Sequence, residues 1–105
     1  MLVVAVALPT SGRVPGPDSR VPEVWVVAAI DTASLKSAIA RMLEGADADA
    51  VFISCTSVRI AESVAEIEAE LGIPVTSSNH ALACHCLRLA GIDDKLPENG
   101  RLFAV

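Results

Sequence analysis

The side chains best suited to proton transfer or covalent chemistry gather at two places in the sequence. The first is Ser54, Cys55, Thr56 and Ser57, directly after the apolar run Ala50 to Ile53. The second is Thr76, Ser77, Ser78 and Asn79, directly after Pro74 and Val75. A cysteine can act as a base or a nucleophile once it is ionised. A thiol at a helix N-terminus ionises more readily, because the helix dipole favours the thiolate. The hydroxyls and backbone amides around such a thiol suit a carboxylate, and two turns of this kind side by side suit a dicarboxylate. Cys55 is therefore the candidate catalytic residue, and Thr56, Ser57, Ser78 and Asn79 are the candidate substrate-binding residues. A buried, inert thiol is the competing reading of Cys55, and helix capping is the competing reading of the hydroxyls. His80 falls close enough to the second turn to be a lesser candidate for ligand contact.

Cys84, His85 and Cys86 do not make a metal site by spacing. Positions i and i+2 of a helix face different sides, and four convergent ligands are the rule for structural zinc. No metal is expected. Cys84 and Cys86 read as small apolar fillers, and His85 as a polar helix residue.

Strand-to-helix turns are needed to present the two clusters, and the sequence supplies them. Leu2 to Leu8 is a continuous apolar run, as in a strand covered on both faces. Residues 9–22 hold four prolines and two glycines, which predicts a loop and forbids a helix. Val24 to Ala28 is a second strand candidate. Asp31 and Thr32 can cap a helix running to about Glu44, with Leu35, Ala38, Ile39, Met42 and Leu43 on its apolar face and Gly45 ending it. Ala50 to Ser54 is the clearest strand. Thr56 and Ser57 then open a predicted helix to about Leu71, with Ile60, Val64, Ile67 and Leu71 inward. Glu62, Glu66, Glu68 and Glu70 are expected on its solvated face. Gly72 stops it. Pro74 to Thr76 is a short strand, and a last helix is expected from about His80 to Ala90, capped by Ser77, Ser78 or Asn79. Alternation of this kind predicts a three-layer α/β fold. Its mostly parallel sheet has about four strands, with helices on both faces. Ligands bind such sheets beyond the carboxyl ends of the strands, where both clusters fall. The Pro-rich stretch stands where a crossover helix belongs.

The 105-residue chain is long enough for one compact domain, so residues 1–105 are read as a single lobe. Its net charge of −5 argues against a nucleic-acid footprint and against docking on an anionic membrane. No run reaches the length needed to span a bilayer. An odd count of three cysteines, with no basic leader ahead of the first apolar run, predicts a reducing, cytoplasmic setting.

Several blocks occurring in order give the sequence a family likeness. They are Ala48 to Ser57 (ADAVFISCTS), Glu66 to Val75 (EIEAELGIPV), Ser77 to Ala81 (SSNHA) and Leu87 to Ile92 (LRLAGI), with the ending Asp93 to Phe103. Over residues 33–103 the chain resembles the C-terminal half of Asp/Glu racemase-superfamily proteins: maleate cis-trans isomerases, arylmalonate decarboxylases and racemase-like ectoine-utilisation proteins. The resemblance implies one lobe of a two-lobed α/β fold with its active site in the cleft between lobes. It implies a cofactor-independent, maleate isomerase-like racemase or isomerase reaction on a small dicarboxylate. Cys55 then stands at the second-lobe cysteine position, and Thr56, Ser78 and Asn79 line the pocket. A first lobe with its own cysteine has no counterpart here, so the implied assembly is a homo-oligomer or a pairing with a first-lobe partner. The alternative is a non-catalytic remnant or a carboxylate-binding module.

Overall fold

The structure, a computed structural model, describes residues 28–105 and the backbone of residues 3–6. The element order is β1 (Val3–Val6), α1 (Thr32–Leu43), β2 (Ala50–Ile53), α2 (Val64–Leu71), β3 (Val75–Ser77) and α3 (Ser78–Leu89). Short 3-10 turns occur at Ala61–Ser63, Pro97–Asn99 and Arg101–Ala104.

The fold is α/β, as the alternation predicts. Among the described residues the sheet has three strands in the order β1-β2-β3, all parallel. Val3 pairs with Ala50 and Val6 with Ile53, while Val51 pairs with Val75 and Ile53 with Ser77. The central strand β2 thus ends level with Ser77, which brings the two hydroxyl-rich turns to the same edge. The expected loop 9–22 lies outside the described residues, and so does the strand expected over Val24 to Ala28, except that Ala28 has helical backbone.

Helix α1 forms where its cap dictates. The Asp31 carboxylate accepts the Ser34 amide at 2.7 Å, and this bond holds the carboxyl below its ordinary value. Leu35 and Ile39, one turn apart, are buried. They meet Val51 and Ile53 of β2, Val64 and Ile67 of α2, and Val75 of β3 in one aliphatic core. Lys36 on α1 reaches Glu66 and Glu70 on α2. Hydrogen bonds to those two carboxylates, first Glu66 and then Glu70, raise its ammonium above the ordinary lysine value. Gly72 ends α2 with φ at 77°, a left-handed conformation that costs glycine nothing.

Two expectations fail in α2. The predicted helix from Thr56 starts only at Val64, after the turn Ala61–Ser63. Val58 and Ile60 are both buried, and they are two residues apart. That is the period of an extended chain, whereas a helix would turn the two side chains well apart. Burial of both overrides the helical stripe that Ile60, Val64 and Ile67 suggest. Glu68 is also not on a solvated face: it is 4% exposed. Its carboxylate accepts the Val75 amide at 2.9 Å and the Arg101 amide at 2.8 Å. It therefore ties β3 and the C-terminal turn to α2. Gly100 makes this possible, since a Cβ there would stand 2.6 Å from Val64 Cγ1 and 3.2 Å from Glu68 Oε2.

Helix α3 and the C-terminal turn form a second packing unit. His80 is buried, with Nδ1 2.9 Å from Thr76 Oγ1 and Nε2 2.7 Å from the Asn99 carbonyl. A carbonyl only accepts, so Nε2 carries the proton there and the Thr76 hydroxyl can donate to Nδ1. Phe103 tilts against the imidazole with ring centroids 4.8 Å apart. Cys84 is buried as a filler, whereas Cys86 is exposed, so the expectation of two fillers holds for one of them: Cys86 is two positions on and turns outward. No helix among the described residues is long and apolar enough to cross a membrane.

Candidate functional site

Beyond the carboxyl ends of β2 and β3 lies an open cleft of about 210 Å³. Its walls include Thr56, Ser57, Arg59, Glu62, Ser77 and Asn79. The parallel sheet puts it there: β2 releases the chain after Ile53, β3 releases it after Ser77, and both exits face the same way.

The first exit is a loop rather than a helix start. The Cys55 amide donates to the Ile53 carbonyl at 3.0 Å, and the chain then runs as an irregular loop past the buried Val58 and Ile60 to the turn at Ala61–Ser63. No helix N-terminus stands at Cys55, which corrects the expectation that the first turn offers one. The thiol is half-buried and packs against the aliphatic core. It stands one residue before the wall residue Thr56, at the lip of the cleft rather than in its lining. It is at the carboxyl edge of the central strand and is not sealed inside the core.

The second exit does carry a helix. Ser77, with extended backbone at φ −134° and ψ 172°, is the N-cap of α3 and accepts the His80 amide at 3.3 Å. The helix therefore begins at Ser78, two residues earlier than the sequence suggests. Wall residues Ser77 and Asn79 flank its first residue, so the positive end of the α3 dipole lies at the cleft. Asn79 Nδ2 donates to the Thr56 carbonyl at 2.7 Å, which stitches the two turns together.

Of the residues predicted from sequence, Thr56, Ser57 and Asn79 share the cleft wall, Cys55 adjoins it, and Ser78 is half-buried and outside the lining. His80 points into the second packing unit with both ring nitrogens engaged. It holds structure and does not face the cleft. Three polar wall residues, Ser77, Arg59 and Glu62, are not among the site residues expected from the sequence. Ser77 was legible as part of the same turn. Arg59 has a signal as well, since a charged residue between two apolar ones, Val58 and Ile60, stays in water where both of those are buried. Arg59 and Glu62 stand 3.7 Å apart and both are largely exposed. Among the described residues no group of three His, Cys, Asp or Glu side chains could hold a metal ion.

Comparison with known proteins adds a family. The family model described as arylmalonate decarboxylase matches residues 18–103. An arylmalonate decarboxylase from Bordetella bronchiseptica is 39% identical over 82 residues, covering 76% of this chain and 34% of that protein. A crystal structure of arylmalonate decarboxylase superposes with a TM-score of 0.66 at 39% identity, covering 76% of this chain and 36% of the other. A double mutant of arylmalonate decarboxylase in its liganded form gives 0.67 at 38% identity, over 76% and 35% of the two chains. The chain thus spans about a third of the length of the relatives it matches.

Proposed function

The chain belongs to the arylmalonate decarboxylase family, within the Asp/Glu racemase superfamily, and from that premise we propose that it serves cysteine-dependent chemistry on a small dicarboxylate of the arylmalonate type. Cys55 is the acid. Thr56, Ser57 and Asn79 hold the carboxylate that the substrate keeps. Loss of carbon dioxide breaks the bond from the α-carbon to one carboxyl group and leaves its electron pair on the retained carboxylate as an enediolate. The Cys55 S–H then forms the new C–H bond. The thiolate left behind recovers its proton from water. Backbone amides and hydroxyls aimed at the retained carboxylate lower the barrier, because charge grows there in the transition state. The electron pair stays within the substrate, so the scheme calls on no organic cofactor.

One observation carries this reading. The thiol-bearing exit of β2 and the α3 N-terminus meet at one cleft, joined by the Asn79–Thr56 bond. A one-cysteine mechanism needs no second thiol. The cleft is open, and water exclusion strengthens every electrostatic contact inside a site. A second copy, or a chain supplying the remaining lobe, is the covering partner in this proposal. Maleate isomerisation, in which a thiolate adds to a double bond, is the rival chemistry within the superfamily. Carboxylate binding without turnover is the rival role.

Phenylmalonate and maleate assayed in D2O separate these. Phenylacetate bearing one α-deuterium, lost in Cys55→Ser, is the expected result. Fumarate from maleate, with phenylmalonate untouched, would move the chain to the isomerases. Saturable binding with no product would leave the binding role.

A further inference from the structure

We infer that Arg59 is a specificity-determining residue of this cleft, taking the carboxylate of a dicarboxylate that the Ser77–Asn79 turn does not hold. The inference rests on the carboxylate-binding reading above and adds a residue to it.

The first exit was expected to supply a helix N-terminus, and it does not: α2 begins only at Val64. The positive end of a helix therefore serves one side of the cleft, at α3. A second carboxylate on the same small molecule repels the first and needs its own positive partner. Among the described wall residues the one cation is Arg59. Its place follows from the loop: Val58 and Ile60 are both buried, so the residue between them faces away from the core. A guanidinium presents its donors in a planar fork that matches a carboxylate.

Its present partner is a weak one. Glu62 lies 3.7 Å from the Arg59 guanidinium, and the side chains are 73% and 88% exposed. The pair is longer than a hydrogen bond and sits in water, where ion pairs contribute little. A dicarboxylate held by the opposite turn would meet Arg59 at high effective concentration and displace Glu62. The negative charge of Glu62 would then oppose the ligand from the same wall. Arg59 and Glu62 thus act in opposite directions on a dianion and leave a monoanion held at α3 nearly untouched.

Nuclear magnetic resonance titration of the full chain, followed at the amides of Thr56, Ser57 and Asn79, tests this with phenylmalonate and phenylacetate as probes. Arg59→Ala should weaken phenylmalonate about fivefold while changing phenylacetate less than about twofold, the size of a surface charge contact. Arg59→Lys should fall between. Glu62→Gln should tighten phenylmalonate alone. Both side chains are exposed, so these variants keep the fold. Binding of both probes with an unchanged ratio in Arg59→Ala and Glu62→Gln overturns the role of Arg59 and leaves the cleft reading standing. No shift at the three amides with either probe, in the parent chain, overturns both.

Discussion

Replacing Glu68 by alanine removes the acceptor that joins three parts of the structure. The carboxylate is 4% exposed and takes the amides of Val75 and Arg101 at 2.9 and 2.8 Å. Two bonds to a charged acceptor are worth roughly 1.5–3 kcal/mol each. Removing a buried ion also returns several kcal/mol of desolvation cost on an order-of-magnitude scale. Against that, two buried amides lose their partner, at about 1–3 kcal/mol each. The net destabilisation is then about 3 kcal/mol, a large part of the ~5–15 kcal/mol that holds a domain together. In urea, with a slope of roughly 1.5 kcal/mol per molar, the midpoint should fall by about 2 M. Glu68→Gln, which keeps the shape and one acceptor oxygen but turns an NH2 donor toward an amide donor, should fall about half as far. A Glu68→Ala midpoint within about 0.3 M of the parent would refute the reasoning. The consequence reaches the cleft, because Val75 opens the strand that ends at the wall residue Ser77.

Other perturbations have equally definite outcomes. Gly100→Ala forces a Cβ to 2.6 Å from Val64 Cγ1 at a φ of +99°, and thermal unfolding should show a loss of at least ~1–3 kcal/mol. His80→Ala deletes a buried ring bonded to Thr76 and Asn99 and should cost about 2–4 kcal/mol, yet in conditions where it is folded its phenylmalonate affinity should match the parent, as measured by the same amide shifts. Asp31 has a folded-state value below its unfolded 3.8, so its contribution is complete above that value and is lost as pH falls through the folded one. Asp31→Asn should therefore flatten the acid side of a stability–pH curve and leave the neutral plateau slope unchanged.

The elements that place the site were legible because their signals are local. Ala50 to Ile53 is apolar and β-branched on a period of two, Asp31 is a cap four residues before Leu35, and Gly72 is the stop that α2 uses. The family blocks marked the same two strand ends that the cleft occupies. What could not be read locally was decided by tertiary contacts. Ile60 fits a helical stripe with Val64 and Ile67, and only the core, which buries Val58 as well, decides against it. Glu68 sits among Glu66 and Glu70 with nothing in its neighbours to distinguish it, and its burial comes from Arg101, thirty-three residues on. Cys86 is as apolar as Cys84, but the C-terminal turn covers only Cys84, whose Sγ lies 3.6 Å from the Leu102 carbonyl. Ser77, Ser78 and Asn79 are all good caps, and the pairing of Ser77 with Ile53 in the sheet selects the first.

If Cys55 and the Ser77–Asn79 turn serve one bound carboxylate ligand, that ligand shields the thiol. Iodoacetamide labelling followed by peptide mass spectrometry measures this at Cys55, with the exposed Cys86 as an internal control in the same sample. The account predicts that phenylmalonate slows Cys55 labelling saturably and leaves Cys86 unchanged. Equal labelling of Cys55 at every phenylmalonate concentration, or equal slowing at both cysteines, would contradict it.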